Sequence, residues 1–356
     1  MRSPLRRLRN CATWLLTLGT LASCEHTAPF SPVTGGSNGP LVPASITQLT
    51  YSPGQDLIPA WLPDGSAFVY TAERRDRVDH DRCLAVMDRG GGSISRYACR
   101  TVAADDSINV FDEATILGDS IAYVRTSTER FLQGIGPDRQ ELVIAPLADP
   151  NAARVVQQIP FTTPWGATYD MISHIAWLGP GKLAFIGERV SYPRACRSCV
   201  PDTVRFGLEI AIADVTTIPT TVARMVDGDS ASSLAPSANG DTVYFTKNAD
   251  THVFRHTMSD AQTDTLFAFI DVARDISVSA GQLAAIVGGV PGGPTTPDRG
   301  GALFHVSFPG GGPLVGEIGL SGVLYRRPAL SPDGVRLVVS GWSGAPNADL
   351  WLFTSR

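Results

Sequence analysis

From about Ser45 onward the chain is written in short runs that alternate apolar and polar positions, bounded by Gly, Pro, Asn or Asp. "SAFVYTA" (Ser66 to Ala72), "SIAYVRT" (Ser120 to Thr126), "DTVYFTK" (Asp241 to Lys247) and "RLVVSG" (Arg336 to Gly341) have the period of two and the β-branched and aromatic content of half-buried strands. No segment sustains a helical period. The pattern predicts an all-β protein.

The runs recur as a unit. "PAWLPDGSAFVY" (Pro59 to Tyr70) returns as "PALSPDGVRLVV" (Pro328 to Val339), 269 residues later. Weaker copies lie between them, so that anchors at Trp61, Ile116, Trp177, Pro236, Val278 and Leu330 are spaced 55, 61, 59, 42 and 52 residues apart. Each unit predicts a strand running into a "PDG", "ANG" or "GPG" turn, whose residues supply the required backbone angles. A second strand follows, then a third such as "CLAVMD", "LEIAIAD" or "DLWLFT", and in most units a fourth such as "SISRYAC" or "ARVVQQI". Four short antiparallel strands per unit describe a propeller blade, and radial repetition protects the sheet edges. The expected fold is a six-bladed β-propeller forming one domain over residues 45–356. The last unit ends after its third strand, while "SITQLTY" (Ser45 to Tyr51) precedes the first unit as an orphan. This N-terminal strand is expected to complete the last blade and close the ring.

"PAWLPDGSAFVYTA" and "PALSPDGVRLVVSG" resemble the TolB-type propeller repeat, whose core reads Pro-x-Trp-Ser-Pro-Asp-Gly before a strand. Trp61, Pro63, Asp64 and Gly65 match in the first unit; Pro328, Ser331, Pro332, Asp333 and Gly334 match in the last. The resemblance spans residues 45–356 but is strong in only two of the six units. It implies a periplasmic or surface six-bladed propeller, whose best-known relative acts by binding proteins. That relative carries an additional N-terminal domain, which is not expected here, so its partners do not carry over.

The first residues read as processing signals rather than structure. "MRSPLRRLRN" is basic without an acid, and "CATWLLTLGTLA" (Cys11 to Ala22) is a mostly apolar run of 12 residues. A spanning helix needs about 20, so the run predicts a secretory signal and not a permanent anchor. It ends in "LASC" (Leu21 to Cys24), which resembles the bacterial lipobox. The resemblance implies a signal peptide of residues 1–23 and a Cys24 that is lipidated and becomes the new N-terminus. The alternative is an ordinary signal with Cys24 incidental. Several acyl chains on one residue anchor stably, at about 0.8 kcal/mol per buried methylene. Residues 24–44, rich in Pro, Gly, Ser and Thr, read as a flexible tether. The expected location is the bacterial cell envelope, on a periplasmic or surface face of the outer membrane.

Charge narrows the partners. The whole chain has 29 basic and 34 acidic residues; without the four arginines of the signal it has 25 against 34, a net charge of −9. Lys182 and Lys247 are the sole lysines. Such a body gives no support to nucleic-acid binding. Apart from the membrane reached through the lipid, the expected partner is an envelope protein, and the chain is expected to be monomeric and without a cofactor.

Four cysteines remain beyond Cys11 and Cys24, an even number suited to an oxidising compartment. A hairpin centred on Gly91 opposes Cys83 and Cys99, at the roughly 4.5–5.5 Å of directly paired residues. The pair reads as a disulfide, the alternative being two buried thiols. Cys196 and Cys199 form a CxxC in "SYPRACRSCVPDT", flanked by Pro193 and Pro201. A redox motif wants a helix N-terminus, so a loop-stapling disulfide is the favoured reading over catalysis.

Candidate chemistry is sparse. Asp64 and Asp333 occupy the same turn of the repeat, where an aspartate bonding its own backbone explains them. "RVDHDRC" gathers Asp79, His80, Asp81 and Cys83, but neighbours along an extended chain point to opposite faces. His252 and His256 have zinc spacing on a helix; on the strand predicted here they lie roughly 13 Å apart. "GWSGA" (Gly341 to Ala345) lacks the final glycine of a nucleophile elbow and its strand-to-helix turn. No catalytic residue and no metal ligand is nominated. Propellers bind around the central channel, and the residues just before each inner strand are expected to rim it: Asp56, Asp112, Glu113, His174, Arg274, Asp275, Arg326 and Arg327. The favoured function is a non-enzymatic protein-binding module. The alternatives are a hydrolase or lyase with its site at the channel mouth, and a glycan-binding surface protein.

Overall fold

The structure, a computed structural model, describes residues 43–51, 53–73, 82–92, 94–99, 107–131, 134–191, 204–217, 220–225, 227–289, 300–307, 314–344 and 347–355. The signal, the lipidation residue Cys24, nearly all of the tether, Asp79 to Asp81 and the Cys196/Cys199 loop lie outside the described residues. Strand follows strand. After β1 (Ser45–Gln48), the first meander is β2 (Asp56–Trp61), β3 (Ala67–Glu73), β4 (Arg82–Asp88) and β5 (Ile94–Ala98). The second is β6 (Ser107–Leu117), β7 (Ser120–Phe131), β8 (Gly134–Pro146) and β9 (Arg154–Ile159), trailed by a small hairpin, β10 (Phe161–Thr162) and β11 (Thr168–Tyr169). Next come β12 (Met171–Gly179), β13 (Lys182–Ser191), β14 (Val204–Asp214) and β15 (Thr221–Arg224), then β16 (Ala231–Pro236), β17 (Thr242–Lys247), β18 (His252–Thr257) and β19 (Gln262–Ala268). The last two groups are β20 (Ala273–Ser279), β21 (Gln282–Val287), β22 (Ala302–Ser307) and β23 (Leu314–Glu317), then β24 (Leu324–Leu330), β25 (Arg336–Trp342) and β26 (Asp349–Thr354).

The meanders are four-stranded antiparallel blades of a β-propeller. Four stand as separate sheets, the last of them completed by β1, and the first two are fused by one parallel bridge, Arg82 to Val110. The inner strands β2, β6, β12, β16, β20 and β24 contact one another in that cyclic order, and β24 returns to β2. Every sequence anchor falls on an inner strand or at its end.

The orphan strand closes the ring as expected. β1 pairs antiparallel with β26, from Ser45 opposite Thr354 to Gln48 opposite Trp351. Two flanking amides extend the ladder: Ala44 N donates to Thr354 O and Leu49 N to Leu350 O, both at 2.7 Å. Ile46 is 4% exposed and packs with Tyr325, Leu337, Trp351 and Phe353. Such a burial stabilises by about 1.5–3 kcal/mol. At the seam, Trp61, Phe68 and Met87 of the first blade share a core with Ala329, Val338, Leu350 and Leu352 of the last. The Trp61 indole donates to Ala329 O at 2.9 Å, and Trp177 makes the same bond to Thr115 O at 3.2 Å between blades consecutive in the chain. First and last blades therefore meet as sequence neighbours do.

The repeat's turns behave as their residues dictate. Asp64 Oδ1 accepts from Ser66 N and Asp333 Oδ1 from Val335 N, each at 3.0 Å, while Gly65 and Gly334 sit at φ of 66° and 71°. These aspartates shape turns. Cys83 and Cys99 are opposed, with Cα atoms 4.7 Å apart and their sulfurs in bonding contact. Their hairpin is less regular than a simple centring on Gly91: Leu84 pairs with Ala98 but Ala85 with Arg96, so a bulge restores the cysteines' register. Two features escaped the pattern. The β7–β8 hairpin is far longer than a blade needs, and β10–β11 is an insertion. The latter is held by Trp165 Nε1 and Tyr169 OH donating to Glu209 at 2.6 and 2.7 Å.

Deleting residues 45–51 removes the closing strand and is expected to lower the melting temperature sharply, whereas deleting 25–40 is expected to leave it unchanged. Equal melting temperatures for the two truncations would contradict noncovalent closure by β1.

Candidate functional site

Each inner strand carries a register irregularity, falling at Leu57/Ala60, Asp112/Thr115, Ser173/Ala176, Ala231/Ser233, Ala273/Asp275 and Arg326/Ala329. A bulge re-aims the side chain it carries. One residue per strand, within the irregularity or directly after it, faces the channel: Ile58, Glu113, His174, Ser233, Asp275 and Arg327. Each lies three positions before its unit's anchor. With the residue that follows each, they line a cavity of about 100 Å³ in the channel. Four adopt left-handed backbone, with φ of 52° at Ile58, 54° at Glu113, 50° at His174 and 53° at Arg327. For a non-glycine residue this costs about 1–3 kcal/mol, and such strain persists only where the surroundings over-determine it.

The surroundings are a network of charges that joins blades across the ring. Arg327 reaches over the channel to Glu113 with two guanidinium nitrogens, one of them 3.1 Å from Oε2. Glu113 Oε2 also accepts from His174 N at 2.8 Å. Asp275, with 3% of its side chain exposed, is the hub. Its Oδ2 accepts from Arg326 Nε at 2.7 Å and Arg327 N at 3.2 Å, and its Oδ1 lies 3.2 Å from His174 Nε2. Burial alone would push the Asp275 carboxyl up. The Arg326 guanidinium, the His174 hydrogen bond and Arg327 outweigh it and hold Asp275 well below the usual carboxylate range.

His174 is engaged at both ring nitrogens, since Nδ1 lies 3.1 Å from Ser173 Oγ. The Ser173 hydroxyl donates to Glu188. Its proton is therefore directed away from the imidazole, and the Ser173–His174–Asp275 alignment is not that of a nucleophile and its base. Among the described residues no cluster of three or more His, Cys, Asp or Glu has the geometry to hold a metal ion.

The eight nominated rim residues divide. Glu113, His174, Asp275 and Arg327 line the cavity, and Arg326 braces it through Asp275. Asp112 does not line it; Arg274 turns to the carbonyls of Gly288 and Gly289, at 2.7 and 3.0 Å. Asp56 is buried at the seam between first and last blades, where its amide donates to Ala348 O. None of the eight sits on a loop before its strand; all are strand residues. Charge alone could not single out Ile58 and Ser233. The position three before each anchor would have found all six.

No family model and no curated protein matches the sequence. Among solved structures, the fold is similar to a gluconolactonase of Xanthomonas campestris, at 13% identity and a TM-score of 0.53, over 92% of this chain and 98% of that one. It is also similar to a TolB-assigned protein of Agrobacterium tumefaciens, at 13% identity and a TM-score of 0.50, over 87% of this chain and 97% of that one. At this identity the likeness shows the propeller fold.

Asp275→Asn removes the buried anion shared by the part-exposed Arg326 and Arg327 and is expected to cost about 1.5–3 kcal/mol at pH 7, the range of hydrogen bonds to charged groups. Because the folded-state carboxyl is depressed, its contribution is present above the ordinary aspartate range near pH 4 and is lost as pH falls through the lowered value. Thermal melts of the two proteins should therefore converge below pH 4. A constant gap down to pH 2 would refute the charge network as its cause.

Proposed function

We propose that the chain is a six-bladed propeller, lipid-anchored in the bacterial envelope through Cys24 and carried on the tether of residues 24–44, that works by binding another envelope protein. The observation that carries this reading is that three of the seven large apolar side chains exposed among the described residues lie at entries to inner strands. Tyr51, Ile270 and Leu324 are 51%, 95% and 39% exposed. Tyr51 lies between β1 and β2, Ile270 between β19 and β20, and Leu324 opens β24. All three stand where the chain leads into an inner strand, which is the same face in every blade. Apolar side chains exposed at equivalent entries of several blades suit a protein partner that spans those entries. The charged channel groups are held by one another, which suits a rigid platform whose loops recognise the partner.

A second reading, a hydrolase or lyase at the channel mouth, draws on the cavity itself, where a histidine and two carboxylates converge. The fold does not choose, because propellers host both kinds of function. A glycan site would be supported by an aromatic shelf, and among the described residues the cavity lining contains none.

The soluble domain beginning at Pro43 is expected to retain a discrete protein from envelope extract, and Ile270→Asp is expected to lose it while melting at an unchanged temperature. Recovery of no partner, together with hydrolysis or elimination activity that His174→Gln abolishes, would replace this reading with the enzyme.

A further inference from the structure

The seam that closes the ring holds a second group of buried acids, apart from the channel. Asp56 opens β2 and Asp349 opens β26, 2% and 9% exposed. Between them lie residues 49–51 and 53–55, the described part of the strap from β1 to β2. Thr50 serves both carboxylates. Its hydroxyl lies 3.4 Å from Asp349 Oδ1 and also bonds the Asp56 carboxyl, while its oxygen accepts from Leu350 N at 2.8 Å. One hydroxyl has one proton to give, so it cannot donate to both carboxylates at once. Gln48 Nε2 donates to Asp349 Oδ2 at 2.9 Å, and Asp56 Oδ2 has no hydrogen-bond partner among the described residues. Two buried carboxylates thus share too few donors to be ionised together.

The groups facing the pair deepen the deficit. Among the described residues, the charged neighbours that act on Asp56 are Asp349 and Glu73, both anionic, and the phenols of Tyr70 and Tyr51 feel Asp56 and Asp349 respectively. Glu73 Oε2 also receives Gln55 N of the strap at 3.0 Å. Other ties of the strap use neutral groups: Asn347 Nδ2 donates to Pro53 O at 2.6 Å and Tyr51 OH to Gln48 O at 3.1 Å.

We propose that this seam is an acid-fastened latch: protonation of the Asp56–Thr50–Asp349 group clamps the strap and β1 onto the last blade, and loss of the proton loosens the closure of the ring. Burial, together with the nearby Asp349 and Glu73 charges, outweighs the Thr50 hydrogen bond and pushes Asp56 up to about 7; burial likewise pushes Asp349 up to about 6. The sign follows. A carboxyl raised in the folded state favours folding below its unfolded value, and that advantage is lost as pH rises through the folded value. The window runs from about pH 4 to pH 7. It lies above the range in which Asp275 acts, with the opposite slope.

Hydrogen exchange of the 44–51 segment, followed by mass spectrometry and corrected for the intrinsic pH dependence, tests the latch on the folded domain. In the native sequence, protection of this segment is expected to fall about tenfold or more between pH 5.5 and pH 8, the factor for one titrating group over one pH unit or more. Protection in β13 and β14 should stay constant. Asp56→Asn, which supplies the missing donor, is expected to keep the segment protected at pH 8 and to flatten its profile. Should that variant fail to fold, Asp349→Asn provides the same reading from the other side. Protection that does not change with pH, or a variant with the native pH profile, would overturn the proposal.

Discussion

Closure of the ring is the constraint on which the rest of this structure depends. A blade on its own exposes two faces and an edge, and only its neighbours cover them. Consecutive blades are joined through the chain, but the first and last are not. What joins them is a four-residue strand, β1, which supplies the last blade's fourth strand from the other end of the sequence. The shared core of Trp61, Phe68, Val338 and Leu352 depends on that strand being in place. So does the channel, because Arg327 can meet Glu113 and Asp275 only when its blade is held in position.

The channel shows how one repeat yields different chemistry at equivalent places. Each unit delivers one residue at or beside a bulge to the channel, and the fold leaves the type of that residue open. Ile58, Glu113, His174, Ser233, Asp275 and Arg327 therefore share a backbone position and nothing else. The hydroxyl at Ser233 accepts from Ile276 N at 3.0 Å and so ties one blade to the next. The charged members tie blades farther apart. Left-handed backbone at four of the six is the strain that this arrangement stores, held by blade packing and by the ion pairs together.

Much of this was legible from residue order alone. The anchors located every inner strand, the incomplete last unit predicted the closing strand, and the aspartates of "PDG" turns proved to bond their own backbone. The channel was legible only in part. Its charged residues stood out, but a bulge formed by Glu113 or Arg327 leaves no glycine or proline to mark it. The residues consequently read as loop ends when they are strand interiors. Asp56 misled for a related reason: it occupies the start of an inner strand, yet the seam, which no local pattern encodes, buries it. The β10–β11 hairpin was missed because two-residue strands have no periodicity, and the partner that fixes Trp165 and Tyr169, Glu209, lies about forty residues away.

The central claim, that β1 fastens the last blade to the first and so makes one ring, is tested most directly by a covalent link across that pairing. Ser45 and Thr354 are directly opposed. In the Ser45→Cys/Thr354→Cys variant, the account predicts that mild oxidation forms a bond between these two positions, identified by peptide mapping. It further predicts that the oxidised protein melts well above its reduced form, because the bond closes a loop of about the whole domain. Failure of the two cysteines to join in the folded protein, or joining with no rise in melting temperature, would contradict it.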